Sequence, residues 1–224
     1  MKVDDILRLL RQEYGERVWK AGQEPVFVLV QTVLSQNTSD ANSHRAFESL
    51  LAAFADWESV AAADTEAVAK AIRQGGLADI KAGRIQYMLR QIEERRGSLD
   101  LSFLKGLPLP DARSWLRSLP GVGPKTASCV LLFSLGMPAL PVDTHVFRVA
   151  GRLGLIDSKA TPEKAHNMLE AMVPSHDVYA FHLYLIEHGR RVCKAQRPRC
   201  SVCVLLSLCP SGLEAQARPP GTVA

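Results

Sequence analysis

The sequence predicts an all-α fold of about ten helices, with a loop held by cysteines at the C-terminal end. Three observations carry this. Apolar residues recur at i, i+3 and i+4 through most of the chain. Period-two alternation rich in β-branched residues is missing, which argues against a sheet of any size. Glycine and proline punctuate the helical stretches at Gly75-Gly76, Gly97, Gly106, Pro120-Gly121, Gly136 and Pro174. In order, the pattern predicts helices over 3–14, 25–35, 39–51, 57–63, 65–72, 80–96, 112–118, 126–135, 144–153, 162–172 and 178–189. Residues 211–224 carry Pro219-Pro220, several alanines and no apolar periodicity, and read as a frayed tail. There is no internal repeat of solenoid period.

A chain of 224 residues, 47% of them hydrophobic, is long enough for one large or two small domains with a sizeable core. Its longest apolar runs, 25–30 and 129–135, are far too short to span a bilayer. No charged, then apolar, then small-residue signal opens the chain, so a soluble, cytoplasmic protein is expected. The net charge of +4 is compatible with nucleic acid without demanding it.

Cys193, Cys200, Cys203 and Cys209 are spaced C-x6-C-x2-C-x5-C in one short segment. Four thiolates this close suit zinc or a cubane iron–sulfur cluster. Disulfides are the third option, disfavoured by the intracellular expectation. Zinc ligands usually come as two close pairs separated by a longer finger, which these gaps do not resemble. The fifth cysteine, Cys129, lies in an apolar run and reads as an ordinary buried side chain.

A second motif runs Leu119-Pro-Gly-Val-Gly-Pro-Lys125-Thr-Ala127 between two helical segments. A Gly-x-Gly turn leading into a helix exposes backbone N–H groups at the positive end of the helix dipole. Without Cβ atoms, Gly121 and Gly123 let a phosphate backbone approach closely. Pro124 suits the first helical position, where its missing N–H is not needed. A lone Gly-x-Gly would be only a tight turn; the whole string looks like a helix–hairpin–helix DNA-binding element. Lys125 is then either a solvated phosphate contact or, beside a helix N-terminus, a nucleophile.

A third motif, Pro141-Val-Asp143-Thr-His145-Val-Phe-Arg148-Val, opens the next helix. Asp before a helical pattern is most often an N-cap. A carboxylate fixed there is also oriented to stabilise developing positive charge. His145 and Arg148 share that turn and face either phosphate or solvent.

Together these segments resemble the endonuclease III family of helix–hairpin–helix DNA glycosylases, from about Glu24 to Pro210. The cysteine spacing matches that family's [4Fe–4S] loop, which favours the cluster over zinc. The resemblance implies a bifunctional DNA glycosylase and abasic-site lyase of base excision repair, acting on oxidised pyrimidines in double-stranded DNA. Lys125 would attack the sugar C1′, expel the base and form a Schiff base. Asp143 would stabilise the cationic sugar, and β-elimination would break the strand. Base extrusion is required because a stacked C1′ is out of reach of an amine.

The same resemblance assigns the DNA grip. The 34–38 segment, Leu-Ser-Gln-Asn-Thr, matches the loop that fills the gap left by the flipped base, with Gln36 and Asn37 the competing filling residues. Gly76-Leu77 matches the loop whose leucine wedges into the opposite strand, followed here by a small Ala78. On residues alone, Asn37 is also a turn former and Leu77 also a helix-start residue. Lys194, Arg197 and Arg199, inside the first cysteine gap, read as a solvated face by themselves and as phosphate contacts once a cluster folds the loop.

Family topology implies two helical domains with the active site in the cleft between them. Residues 18–137 would form a six-helix barrel, residues 1–17 with 138–212 the cluster domain, and 213–224 a flexible tail. The enzyme is expected to act as a monomer, nucleoid-associated through DNA. Gln31 stands where an adenine-specific relative needs a catalytic Glu, and Lys125 argues against a monofunctional mismatch glycosylase.

Overall fold

The computed structural model describes residues 2–20, 22–157 and 159–217. These are mostly helical, with no strand among the described residues. The chain divides into two compact units, Ala21–Met137 and Met1–Lys20 with Pro138–Ala224.

The Ala21–Met137 unit is built around α2 (Pro25–Ser35), which is apolar on every side and therefore buried. Proline in its first turn suits its start, and Val26, Leu29, Val30, Val33 and Leu34 are fully buried. Five β-branched residues sit in this helix, so burial overrides their weak helix preference. Ser39 caps α3 (Asp40–Ala53), accepting from the Asn42 N–H, and Asp56 caps α4 (Trp57–Ala62), accepting from the Ser59 N–H at 2.7 Å. Phe27 and Phe47 meet edge to face at 4.5 Å, with Trp57 alongside. After α5 (Thr65–Ala71) and a 3₁₀ turn at Arg73–Gly75 comes the long α6 (Ala78–Arg96). Buried Gln86 of α6 donates to Val60 O and Ala63 O and accepts from Thr65 Oγ1 at 2.7 Å, joining the end of α4 and the start of α5 to α6. The unit closes with α7 (Leu109–Arg117) and α8 (Pro124–Cys129), which runs on into a π-helical turn at Val130–Ser134.

The other unit packs α1 (Lys2–Tyr14) and α9 (Thr144–Arg152) against α11 (Val178–Arg191), with α10 (Pro162–Met172) following α9. Gly189 lies inside α11, two residues before its end, where the sequence pattern stops the helix. A Cβ there would stand 3.1 Å from both Arg148 Nη2 and His145 Cβ, so the glycine serves a close helix approach.

Three other expectations are corrected. The helix expected at 112–118 begins at Leu109, because Pro110 and Asp111 favour a first turn that apolar periodicity does not reveal. The segment expected at 126–135 as one helix begins at Pro124 and changes pitch at Val130. The stretch read as a tail from residue 211 instead opens with α12 (Pro210–Ala217), whose proline start offsets its lack of an apolar stripe. Residues 218–224 of that tail lie outside the described residues.

Candidate active site and nucleic-acid interface

The hairpin lies between α7 and α8. The Val122 N–H donates to Leu119 O at 3.2 Å, and Gly121 sits at φ +76, which an L side chain rarely adopts. Gly123 caps α8 at φ −85, an ordinary angle, and a Cβ there would meet open space. Packing among the described residues does not require the second glycine. Lys125 follows Pro124 in the first turn of α8 and is partly buried.

The 36–38 loop meets this hairpin through one side chain. Gln36 Nε2 approaches Gly121 O at 3.4 Å and Thr126 Oγ1 at 3.5 Å, while its Oε1 accepts from Arg84 Nη1 at 2.9 Å. Gln36 is therefore turned onto the hairpin. Asn37 is exposed with φ 54, in the left-handed region. Leu77 is also left-handed, at φ 52, and is 53% exposed at the start of α6. Among the described residues only three non-glycine side chains have positive φ: Asn37, Leu77 and Arg197. All three were singled out from the sequence for DNA contact. Asn tolerates this angle readily, while Leu77 and Arg197 hold it at a steric cost.

In the other unit, Asp143 caps α9, its Oδ1 accepting from the Val146 N–H at 2.7 Å. The extended segment before it is held by side chains that sequence reasoning missed. Glu170 Oε1 accepts from the Leu140 N–H at 2.8 Å, buried His166 Nδ1 pairs with Leu140 O at 2.8 Å, and buried His182 Nδ1 pairs with Pro141 O at 2.9 Å. A carbonyl can only accept, so both rings carry their proton on Nδ1. Two histidines on apolar helix faces were the available signal.

His145 and Arg148 pair with each other, the Arg148 Nη2 donating to His145 Nδ1 at 3.1 Å. Arg148 also donates to Cys193 O at 3.1 Å, Gly189 O at 3.0 Å and Thr144 O at 3.3 Å. Its guanidinium thus holds the start of the cysteine loop to α9 and α11. One turn later Arg152 repeats this, donating to Lys194 O at 2.7 Å, Ala195 O at 3.0 Å and Cys193 Sγ at 3.3 Å. The sequence reading missed Arg152, whose partners lie 41 to 43 residues further along the chain. Lys194, Arg197 and Arg199 are exposed.

Cys193, Cys200, Cys203 and Cys209 line one cavity with Val149, Leu205 and Leu206, and none is in a disulfide. Donors point at the sulfurs: Arg152 at Cys193, the Gly212 N–H at Cys209 at 3.3 Å, and His188 Nε2 at Cys203 at 3.4 Å. Burial holds the His188 pKa down, to about 4, so its ring is neutral. Tyr14 O–H lies 2.9 Å from His188 Nδ1; donating there, it leaves the ring proton on Nε2, facing Cys203. Burial pushes the Cys203 and Cys209 thiols up, so a bound metal would have to displace their protons.

The family model described as HhH-GPD superfamily base excision DNA repair protein matches residues 30–175, and the chain belongs to that family. It is a DNA glycosylase/AP lyase of the endonuclease III kind. Endonuclease III of Thermotoga maritima is 36% identical over 186 residues, 83% of each chain. Endonuclease III of Bacillus subtilis is 37% identical over 188 residues, 84% of this chain and 82% of its own. An Arabidopsis thaliana protein named for an expected DNA glycosylase activity is 41% identical over 162 residues, 72% of this chain, which spans only 55% of that protein. Among solved structures, a non-covalent endonuclease III–DNA complex aligns over 97% of this chain and 99% of its own, with TM-score 0.82 and 29% identity. A trapped covalent endonuclease III–DNA intermediate aligns over 96% and 99% with TM-score 0.81 and 29% identity. No helix among the described residues is long and apolar enough to cross a membrane.

Proposed function

We propose that this chain excises oxidised pyrimidines from duplex DNA and cleaves the resulting abasic site through a Schiff base on Lys125, acting as a cytoplasmic monomer. The observation that carries the reading is Lys125 itself, in the first turn of α8 behind the hairpin, in a chain that aligns over 96% of its length with a trapped covalent endonuclease III–DNA intermediate. The Lys125 amine attacks C1′ as the C1′–N bond to the base breaks and the base leaves with the bonding pair. Ring opening gives an iminium ion. Loss of a C2′ proton then expels the 3′ phosphate. Asp143 keeps Oδ1 on its cap and offers Oδ2 to the positive charge that develops on the sugar. Asn37 fills the gap left by the flipped base, since Gln36 is engaged with the hairpin, and Leu77 wedges the partner strand.

The four cysteines hold a [4Fe–4S] cluster in this reading. The observations that support it are four sulfurs on one apolar cavity and N–H donors aimed at three of them. When bound, the cluster supplies the fold of the loop that presents Lys194, Arg197 and Arg199 to phosphates.

Borohydride trapping on abasic-site duplex tests the chemistry. The wild-type chain is expected to give a covalent protein–DNA adduct and Lys125→Gln none, with duplex binding largely kept. Undiminished trapping by Lys125→Gln would remove Lys125 as the nucleophile.

A further inference from the structure

Lys81 is only 3% exposed, although it belongs to a residue type that almost always keeps its charge in water. Its Nζ donates to Leu34 O at 2.7 Å and to Gly75 O at 2.9 Å, and its backbone N–H donates to Leu77 O at 2.9 Å. Leu34 lies in the last turn of α2, where carbonyls lack helical partners and the dipole favours a cation. Gly75 ends the 3₁₀ turn ahead of α6. One ammonium thus joins the stems of two separate loops. Each stem leads within three residues to a left-handed side chain, Asn37 from Leu34 and Leu77 from Gly75. Arg84, one turn further along α6, holds Gln36 on the other side of the first loop.

We propose that Lys81 is a positioning residue that couples the gap-filling loop to the wedge loop, so that both enter the duplex as one body. The proposal rests on the reading that Asn37 and Leu77 are inserted into DNA. An ammonium supplies what an apolar residue cannot, since two buried carbonyls would otherwise lack donors and the two stems would separate. The coupling matters only where a duplex must be kinked and its partner strand held away from the target sugar. An abasic site in a single strand needs neither wedge nor filler, yet it uses the same lysine chemistry.

Lys81→Met and Leu77→Ala are to be compared with wild type in single-turnover cleavage of one abasic site, presented in duplex and in single-stranded DNA. Lys81→Met is expected to slow duplex cleavage at least tenfold while single-strand cleavage stays within twofold, and Leu77→Ala to show the same split. A residue that serves only the fold would lower both rates together, and equal losses would overturn the proposal, as would an unchanged duplex rate. Leu77→Ala separates the two ideas. A wild-type duplex rate in that variant would remove the insertion reading, whereas a split in Leu77→Ala without one in Lys81→Met would remove only the coupling. If Lys81→Met does not fold, Lys81→Gln takes its place, since its shorter amide reaches one carbonyl at most. Failure of both to fold would make Lys81 a core residue and overturn the proposal.

Discussion

One oxygen of Asp143 caps α9, which places the carboxylate without consuming it. Its neighbourhood is built for placement as well, with Glu170, His166 and His182 holding the backbone just ahead. Capping and charge are separable by a single change. Asn caps about as well as Asp, so Asp143→Asn should leave stability within about 0.5 kcal/mol of wild type. The neutral amide no longer stabilises a cationic sugar, and base excision should slow by on the order of a hundredfold. Cleavage of a pre-formed abasic site builds less positive charge and should slow less. Single-turnover rates on the two substrates, with an unfolding curve, decide this. Equal slowing of both reactions would replace the electrostatic role with a structural one.

The hairpin shows how element geometry divides labour between two glycines of one motif. Gly121 is needed by the turn, since an Ala there must hold φ near +76 and push against Arg84. Gly121→Ala should cost about 1–2 kcal/mol in urea unfolding. Gly123→Ala should change stability by no more than about 0.5 kcal/mol and yet weaken duplex binding, because its open space is what a phosphate backbone would occupy. A stability loss at Gly123 matching that at Gly121 would show that the fold, not the ligand, requires it. Legibility of the elements followed the same physics. The helices 25–35 and 162–172 match the sequence pattern end for end, because prolines in their first turns and apolar runs mark them. The Leu109 and Pro210 starts were missed, since the periodic apolar signal of α7 begins only at Ala112, α12 has none, and a proline alone sends no periodic signal. Of the site, the hairpin, Lys125 and the cysteines were readable because their chemistry is written in local spacing. Lys81, Arg84, His166, His182 and Arg152 were not, because each acts on a backbone carbonyl or side chain distant in sequence.

Across the whole molecule, 27 basic residues against 23 acidic leave a net charge of only +4. A four-iron cluster on four thiolates, as proposed, would carry about −2 and bring the balance closer to neutral. DNA affinity must therefore come from where positive charge is placed, and the cysteine loop places three exposed cations together. Arg197 holds φ 50, a strained angle for arginine, inside a segment whose start is pinned by Arg148 and Arg152. In the proposed arrangement the cluster fixes the far end of that segment through Cys200, and the side chains point at phosphate. Purified protein should then be yellow-brown, with about four irons per chain and little zinc. Lys194→Ala and Arg197→Ala should keep the iron and weaken binding to all duplex sequences alike. Each should flatten the slope of log affinity against log salt by about 0.9, the value for one phosphate contact. Cys203→Ser should instead lose iron, lower the unfolding midpoint and remove these contacts together. Iron analysis and salt titrations on the four proteins test this jointly. A colourless, zinc-loaded and fully active protein would overturn the cluster, and unchanged slopes in both charge variants would leave Lys194 and Arg197 as solvated side chains.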